Sequence, residues 1–152
     1  MELQALNKRS DLDQNKKLKD RFTQFEKLIS ELKKRDIPAE LVSAINDQIE
    51  KVNAITSSDR VLKNQLRKSQ LQIIKKVEKG LKLVVKNHYR NMWLGVGMAL
   101  GVAIGSAIGT GTGNMGLFAL GLPLGMAMGI AYGTSLDKKA KEEGKQLDIE
   151  LK

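Results

Sequence analysis

Very few residues in this sequence have the types and spacing that enzyme chemistry requires. Gly111, Gly113 and Gly116 match the letters of the dinucleotide-binding fingerprint, and Asp137 follows at about the 20-residue distance typical of its ribose-binding acid. That fingerprint needs a strand before it and a βαβ unit around it, whereas this one lies in a long uncharged run. His88 is the single histidine, and the sequence gathers no partners for acid–base catalysis around it. We therefore predict a non-enzymatic protein without a cofactor or a metal site.

The uncharged run covers residues 91–136, and the rest of the chain is organised around it. It holds 46 consecutive residues without Asp, Glu, Lys, Arg or His. About 20 apolar residues cross the hydrocarbon core of a bilayer, so the run is long enough for two crossings and a turn. Thr110–Asn114 is small, polar and rich in residues that accept left-handed backbone angles, as a turn requires. The sequence therefore predicts a transmembrane helical hairpin with crossings at Met92–Ile108 and Met115–Leu136.

Glycine recurs at every fourth position from Gly97 to Gly133, with one gap at Leu117. Residues four apart share a helix face, and a face without side chains lets two helix backbones approach closely. The spacing therefore predicts one helix-packing face on each crossing. The predicted packing residues are Gly97, Gly101, Gly105, Gly109, Gly113, Gly121, Gly125, Gly129 and Gly133. Two arrangements satisfy the pattern: the faces pack against each other within one hairpin, or several chains pack around a ring.

The net charge of +9 is concentrated immediately before the first crossing. Residues 60–90 hold ten basic side chains and one acidic side chain, whereas residues 1–59 and 137–152 each have no net charge. The positive-inside rule therefore places both flanks of the hairpin in the cytoplasm. A basic helix beside a crossing favours anionic lipid over nucleic acid, because the segment carries no DNA-reading motif or stacking platform. The residues predicted to contact lipid headgroups are Lys75, Lys76, Lys79, Lys82, Lys86, Arg90 and Trp93.

Residues 12–90 form a predicted cytoplasmic arm of three amphipathic helices. Apolar steps of four and three over Leu18–Leu32 follow a heptad seam, which ends before Pro38. A second apolar face ends near Ala54. No stop signal lies within residues 59–93, so the third helix is expected to run into the first crossing. Three helices of this size make a thin core, which oligomerisation would complete.

The end of the chain resembles a known family. Gly121–Lys145 reads GLPLGMAMGIAYGTSLDKKAKEEGK, in which regularly spaced glycines precede a short charged end. Over roughly the last 60 residues the chain resembles the small bacterial glycine-zipper membrane proteins. The resemblance implies a small protein of the bacterial inner membrane. It implies a topology rather than an activity, and it does not extend to the helical arm.

Together these patterns predict an all-α protein with four segments. They are a flexible N-terminus (1–11), the cytoplasmic arm (12–90), the glycine-zipper hairpin (91–136) and a charged cytoplasmic tail (137–152). The favoured function is a homo-oligomeric inner-membrane protein whose arm associates with itself or with a cytoplasmic protein partner. The alternative is a pore-forming channel or membrane-permeabilising effector built from the same glycine faces. Two further interpretations are an adaptor that docks a soluble complex on the membrane and a subunit of a larger assembly.

Overall fold

The computed structural model describes residues 2–7, 9, 15–56, 58–114 and 116–151. Within these residues the secondary structure comprises five helices and one pair of two-residue strands. In chain order they are α1 (Lys16–Lys33), α2 (Ala39–Asn53), α3 (Asp59–Leu81), β1 (Val84–Val85), α4 (His88–Thr112), α5 (Gly116–Glu142) and β2 (Gln146–Leu147). The predicted all-α class is therefore confirmed. Two predicted boundaries, the helix start at Leu12 and the crossing start at Met115, lie outside the described residues.

The chain divides into two compact units. Unit 1 comprises Met1–Val85 together with Leu147–Lys152, and unit 2 comprises Lys86–Gln146. Unit 1 is therefore built from two separate stretches of sequence, with unit 2 inserted between them. This division differs from the predicted segments, because the predicted tail at 137–152 is shared between the two units.

In unit 1, the helices α1, α2 and α3 bury their apolar faces in one hydrophobic core. The heptad seam over Leu18–Leu32 is buried, and α2 and α3 bury the residues that repeat at steps of three and four. The largest fully buried helical side chains are Leu18, Phe25, Leu28, Leu32, Ile45, Ile49, Leu62, Leu66 and Ile73. Burying one such side chain contributes about 1.5–3 kcal/mol relative to leaving it exposed, so shared burial holds these single-faced helices together.

The third helix ends before the hairpin, so the prediction of a continuous helix into the first crossing was wrong. α3 stops at Leu81, and Lys82 follows in a left-handed conformation with φ 56°. β1 then pairs with β2, and Asn87, with φ 60°, precedes α4. Both β1 residues, Val84 and Val85, are buried, and β-branched side chains favour strands. The segment after α3 thus pairs with a strand that lies beyond both long helices, and this partner could not be identified from the sequence near residue 81.

Residues 147–151 belong to unit 1 and contribute to its core, which corrects the prediction of a charged tail for the last part of 137–152. Leu147 and Ile149 are 1% and 2% exposed and belong to the hydrophobic core. Apolar residues alternate with acidic ones here, which is the period-two pattern of an extended segment with one buried face. This pattern covers only five residues at the end of a segment rich in charges of both signs, so it was not recognised in the sequence.

Glu31 joins α1 to this returning segment. Its Oε2 accepts a hydrogen bond from the Asp148 N–H at 3.4 Å, and its Oε1 accepts one from Lys34 Nζ at 2.6 Å. The hydrogen bond from Lys34 is the main reason that the pKa of Glu31 lies below its usual value, although burial opposes it. The ionised carboxylate is the form that both hydrogen bonds favour.

Glu2–Asn7 lies along α2, where the sequence predicted a flexible N-terminus. Leu3 is 8% exposed and belongs to the core, and Leu6 packs against the core. Amide side chains of α2 bind the backbone of this segment. Searching for helical periodicity does not detect an extended segment of six residues, because its burial depends on a partner surface.

Unit 2 contains the two long apolar helices, α4 with 25 residues and α5 with 27. At 1.5 Å per residue each is roughly 40 Å long, against a hydrocarbon core of about 30 Å. Both helices are long and apolar enough to cross a membrane, and only 22% and 17% of their most apolar windows are buried. A core helix of a soluble protein would bury most of such a window. The outer surface of this helix pair is instead apolar and exposed.

The turn between α4 and α5 is tighter than predicted. Thr110 and Thr112 lie in the last turn of α4, where their hydroxyls donate to the carbonyl oxygens of Ser106 and Ile108 at 2.7 and 2.8 Å. Such back-bonding satisfies a hydroxyl inside an apolar helix. Gly113 then ends the helix with φ 68°. The first helix therefore extends beyond the crossing predicted to end at Ile108.

Candidate functional site

The glycine faces of α4 and α5 meet each other within unit 2. A Cβ atom built on Gly125 would lie 2.7 Å from the Cα of Gly101 and would also overlap the Gly97 carbonyl oxygen. A Cβ atom on Gly121 would lie 2.7 Å from the Cα of Gly105. Carbon atoms that are not bonded need about 3.5–4.0 Å, so no side chain fits at these positions. The two helices therefore touch backbone to backbone.

The structure places most of the predicted packing glycines at this interface, with one exception. Gly129 faces the Trp93 carbonyl oxygen, and Gly133 lies against the first turn of α4, where its Cβ would be 2.6 Å from the Cα of Arg90. Gly109 is buried on the same face of α4. Gly113 differs from the prediction: nothing lies within 4 Å of its Cβ position, and its role is the positive φ of the turn.

An apolar groove of about 440 Å³ runs along one side of the helix pair. Glycines of both helices form its floor, and large apolar side chains form its walls. The wall residues Leu100, Ile104, Leu124 and Met128 are between 51% and 64% exposed. The groove therefore offers shape and apolar surface, with almost no hydrogen-bonding groups.

Asp137 closes the base of the helix pair by capping α4 from the end of α5. Its Oδ1 accepts a hydrogen bond from the Tyr89 N–H at 3.1 Å, and its Oδ2 accepts one from the Arg90 N–H at 3.0 Å. The first N–H groups of a helix have no partner within the helix, and Asn87 does not cap this one with its side chain. Asp137 is only 7% exposed, and its negative charge also complements the helix dipole.

This cap was not predicted, because Asp137 reads in the sequence as the first charge of the predicted tail. Its partners lie 47 and 48 residues earlier in the chain. A usable signal was present nonetheless: Asp137 is the first charged residue after the uncharged run, and α4 begins just before that run. Antiparallel helices of matched length bring these two points to the same level.

We predict that Asp137→Ala frees the first turn of α4. Loss of a capping side chain costs about 1–2 kcal/mol, which corresponds to about 5–30-fold faster hydrogen exchange at the Tyr89 and Arg90 amides. Hydrogen exchange by mass spectrometry or NMR measures this directly. Lys138→Ala changes the exposed neighbouring residue and is the matched control, expected to leave both amides unaffected. Equal exchange in the two variants would show that the Asp137 hydrogen bonds do not restrain this helix end.

The predicted headgroup residues fall into two sets, one in each unit. The unit 1 set is exposed at the end of α3 and consists of Lys75, Lys76, Lys79 and Lys82. The unit 2 set is half-buried near the start of α4 and consists of Lys86, Arg90 and Trp93. The exposed side of α3 also carries Leu71, which is 54% exposed. This exposed side of α3 is therefore strongly basic and carries one large apolar side chain.

Trp93 stacks on the returning helix. Its ring meets the Tyr132 ring edge to face, with centroids 4.5 Å apart. The Trp93 Nε1–H is buried without a hydrogen-bond partner among the described residues. The two rings therefore occupy the same level of the helix pair.

The residues considered for catalysis or cofactor binding lie at the two ends of the helix pair in unit 2, the three glycines at the turn and His88 at the start of α4. Gly111 is in the last turn of α4, Gly113 in the turn, and Gly116 at the first residue of α5. The stretch is thus helix–turn–helix, unlike the strand–turn–helix of a dinucleotide site. His88 begins α4 and meets the Tyr89 ring edge to face at 5.0 Å. Among the described residues, no three acidic, histidine or cysteine side chains are grouped as metal ligands.

The comparisons with known proteins add no family to this geometry. The resemblance to glycine-zipper membrane proteins rests on Gly121–Lys145 and on the glycine spacing alone. No protein-family model, curated protein or solved structure matches this chain.

Proposed function

We propose that this chain is a non-enzymatic, oligomeric protein of the bacterial inner membrane. In this proposal α4 and α5 cross the membrane as a glycine-packed hairpin, and unit 1 is a cytoplasmic arm that associates with itself or with a protein partner. The observation that carries the proposal is the surface of the helix pair. Its helices contact each other through bare backbone, while their large apolar side chains point outward.

That surface fits lipid better than water. Fifteen large apolar side chains of the described residues are exposed, and thirteen of them belong to α4 or α5. Exposed apolar patches of this extent are rare on soluble monomers. Lipid would also maintain helices rich in glycine, because unwinding would leave backbone groups without hydrogen-bond partners. The short hydroxyl side chains near the turn bond to their own helix, which suits the same environment.

The composition of unit 1 supports the proposed topology. Its core includes residues from both sides of the hairpin, such as Leu83 before it and Leu147 after it. A single folded core cannot be divided by a bilayer, so both flanks of the hairpin lie on one side. The excess of basic residues at 60–90 favours the cytoplasmic side. The shared core of unit 1 and the distribution of basic residues thus independently support a hairpin with both flanks on the cytoplasmic side.

The glycine interface bears on how chains would associate. Because the two glycine faces meet within one hairpin, a second chain would approach the outer surface, where Leu100 and Leu124 wall the apolar groove. A larger side chain at Gly105 would therefore disturb the packing within the hairpin, because Gly105 already contacts Gly121. The channel alternative gains no support from this arrangement, because the glycines proposed to line a ring are covered by each other.

Single-cysteine labelling tests the topology. The sequence has no cysteine, so each introduced thiol is unique. We expect a membrane-impermeant maleimide to label Asn114→Cys, in the turn, from outside intact spheroplasts. Gln72→Cys on α3 and Glu142→Cys at the end of α5 should react only in inverted vesicles, although all three positions are exposed on the protein itself.

Two results would overturn the proposal. One is extraction of the protein from membranes by alkaline carbonate, which removes peripheral proteins. The other is labelling of all three cysteines in intact spheroplasts. Ion flux from liposomes that contain inserted protein, above that of protein-free liposomes, would instead favour the channel alternative.

A further inference from the structure

The segment Glu2–Asn7, which we call the strap, is bound to α2 like a peptide ligand. Asn46 Oδ1 accepts a hydrogen bond from the Gln4 N–H at 2.9 Å, and Asn46 Nδ2 donates to the Glu2 carbonyl oxygen at 3.1 Å. One side-chain amide thus satisfies the backbone on both sides of Leu3. In this way α2 binds the main chain of the strap as well as the Leu3 side chain between the two bonded groups.

A second asparagine repeats the same arrangement further along the helix. Asn53 Oδ1 accepts a hydrogen bond from the Asn7 N–H at 3.0 Å, and Asn53 Nδ2 donates to the Ala5 carbonyl oxygen at 3.2 Å. This amide brackets Leu6 as the first brackets Leu3. The four hydrogen bonds form a ladder with two identical steps.

The spacing of the ladder has a geometric basis. Asn46 and Asn53 are seven residues apart, which is about 10.5 Å along a helix. Leu3 and Leu6 are three residues apart, which is about 9–10 Å along an extended chain. Both leucines contact the core, so the strap has a period of three, as in a polyproline II helix, rather than the period of two of a strand.

The ladder is therefore selective for a chemical class of peptide. A ligand needs two leucine-like side chains three residues apart, each with a free backbone carbonyl group before it and a free backbone N–H after it. The side chains between them are nearly free, apart from Gln4, whose Nε2 donates to Glu50 Oε1 at 3.1 Å. None of these contacts requires the strap to be covalently continuous with the α2 that it binds.

We propose that the face of α2 that carries Asn46 and Asn53 is a peptide-binding groove, and that its ligand in the assembled protein is the strap of a second copy of this chain. The inference rests on the proposed self-association of unit 1 and names the contact that would perform it. A second copy is the natural donor because its strap makes the same four hydrogen bonds and the same two leucine contacts. Exchange of identical segments is a low-cost route to association. Confinement to one membrane raises the effective concentration of that donor.

Two single-cysteine chains test the exchange in liposomes. One chain carries Gln4→Cys in the strap, and the other carries Glu50→Cys beside the groove, with tags of different size. We expect a short bis-maleimide to produce a heterodimer that contains both tags. Substituting both Asn46→Ala and Asn53→Ala in the Glu50→Cys chain should lower the heterodimer yield about tenfold or more, because all four hydrogen bonds of the ladder are lost. As a control for position, Arg67→Cys on the exposed side of α3 is used in place of Glu50→Cys. This chain should give a lower heterodimer yield, because its thiol does not lie beside the groove.

A second variant guards against a folding defect in the groove chain. Leu6→Ser in the Gln4→Cys chain weakens the strap as a ligand and leaves the groove chain intact, so it should also lower the heterodimer yield. A heterodimer whose yield is unchanged by both sets of substitutions would overturn the proposal, because the contact would not use the groove.

Failure of the exchange can be distinguished from failure of the proposed function. If the doubly substituted chain, Gln4→Cys with Glu50→Cys, crosslinks only within itself and mixed single variants give no heterodimer, the strap stays on its own chain and the exchange is refuted. The proposed function would survive that result if the protein resists carbonate extraction and Leu100→Cys still crosslinks between chains. Loss of insertion or of all crosslinks would refute the proposed function itself.

Discussion

Gly97→Leu is expected to force α4 and α5 apart. A Cβ atom at this position would overlap the Gly125 carbonyl oxygen and would lie 3.0 Å from the Cα of Gly129, so four side-chain carbons cannot be accommodated. The helices should move toward the roughly 8–10 Å interaxial distance of ordinary helix pairs. Spin labels at Ala99→Cys and Ala127→Cys, both exposed, would report the increase by pulsed electron resonance.

The same helix offers a closely matched control, Gly95→Leu. Gly95 is two residues away on α4, and nothing lies within 4 Å of its Cβ position. Both variants add the same side chain to the same uncharged stretch of α4 and remove the same backbone freedom. Only Gly97→Leu should change the distance distribution and lower the thermal stability of the hairpin, since overpacking costs about 1–3 kcal/mol. If the two variants gave the same distribution, the backbone contact would not be what sets the helix separation.

Leu147→Ala is expected to destabilise unit 1 from a position far away in the sequence. Leu147 is 1% exposed, and removing a buried leucine side chain costs about 2–5 kcal/mol in free energy of unfolding. Hydrogen exchange of the α1 and α3 amides in the full chain would measure the loss. The amides of α4 and α5 serve as an internal reference, because they belong to unit 2.

Leu71→Ala is the control for this second prediction. It is the same substitution in unit 1 at a residue that is 54% exposed, so little burial is lost. Surface substitutions usually change stability by no more than about 0.5 kcal/mol. Comparable exchange rates in the two variants would mean that residues 147–151 do not complete the core, and that the segment behaves as the charged tail predicted from the sequence.

The parts of the fold that could be predicted are those that local periodicity determines. The seam of α1 from Leu18 to Leu32 was predicted because every member lies three or four residues from the next, within one helix. The glycine faces were predicted for the same reason. What periodicity could not provide was the partner of each face, because a hairpin and a ring place the same residues on the same side of a helix.

The features that were missed all depend on residues far apart in the chain. Asp137 caps a helix that starts 49 residues earlier, and β1 pairs with a strand beyond both long helices. Asn46 and Asn53 looked like ordinary polar positions of α2, because their partners are backbone atoms of the strap. Hydrogen bonds to the backbone can form with almost any residue type, so only the spacing of Leu3 and Leu6 could have indicated this contact in the sequence.

The discontinuous construction of unit 1 has a consequence for biosynthesis. Residues 147–151 leave the ribosome after both hairpin helices, so the core that contains Leu147 and Ile149 closes only once α5 has been translated. If the hairpin crosses a membrane as proposed, this core does not hold its orientation until then. Once these two side chains dock, inversion of the hairpin would require unfolding the unit that they complete. In that case the last residues to dock would hold the hairpin in its final orientation.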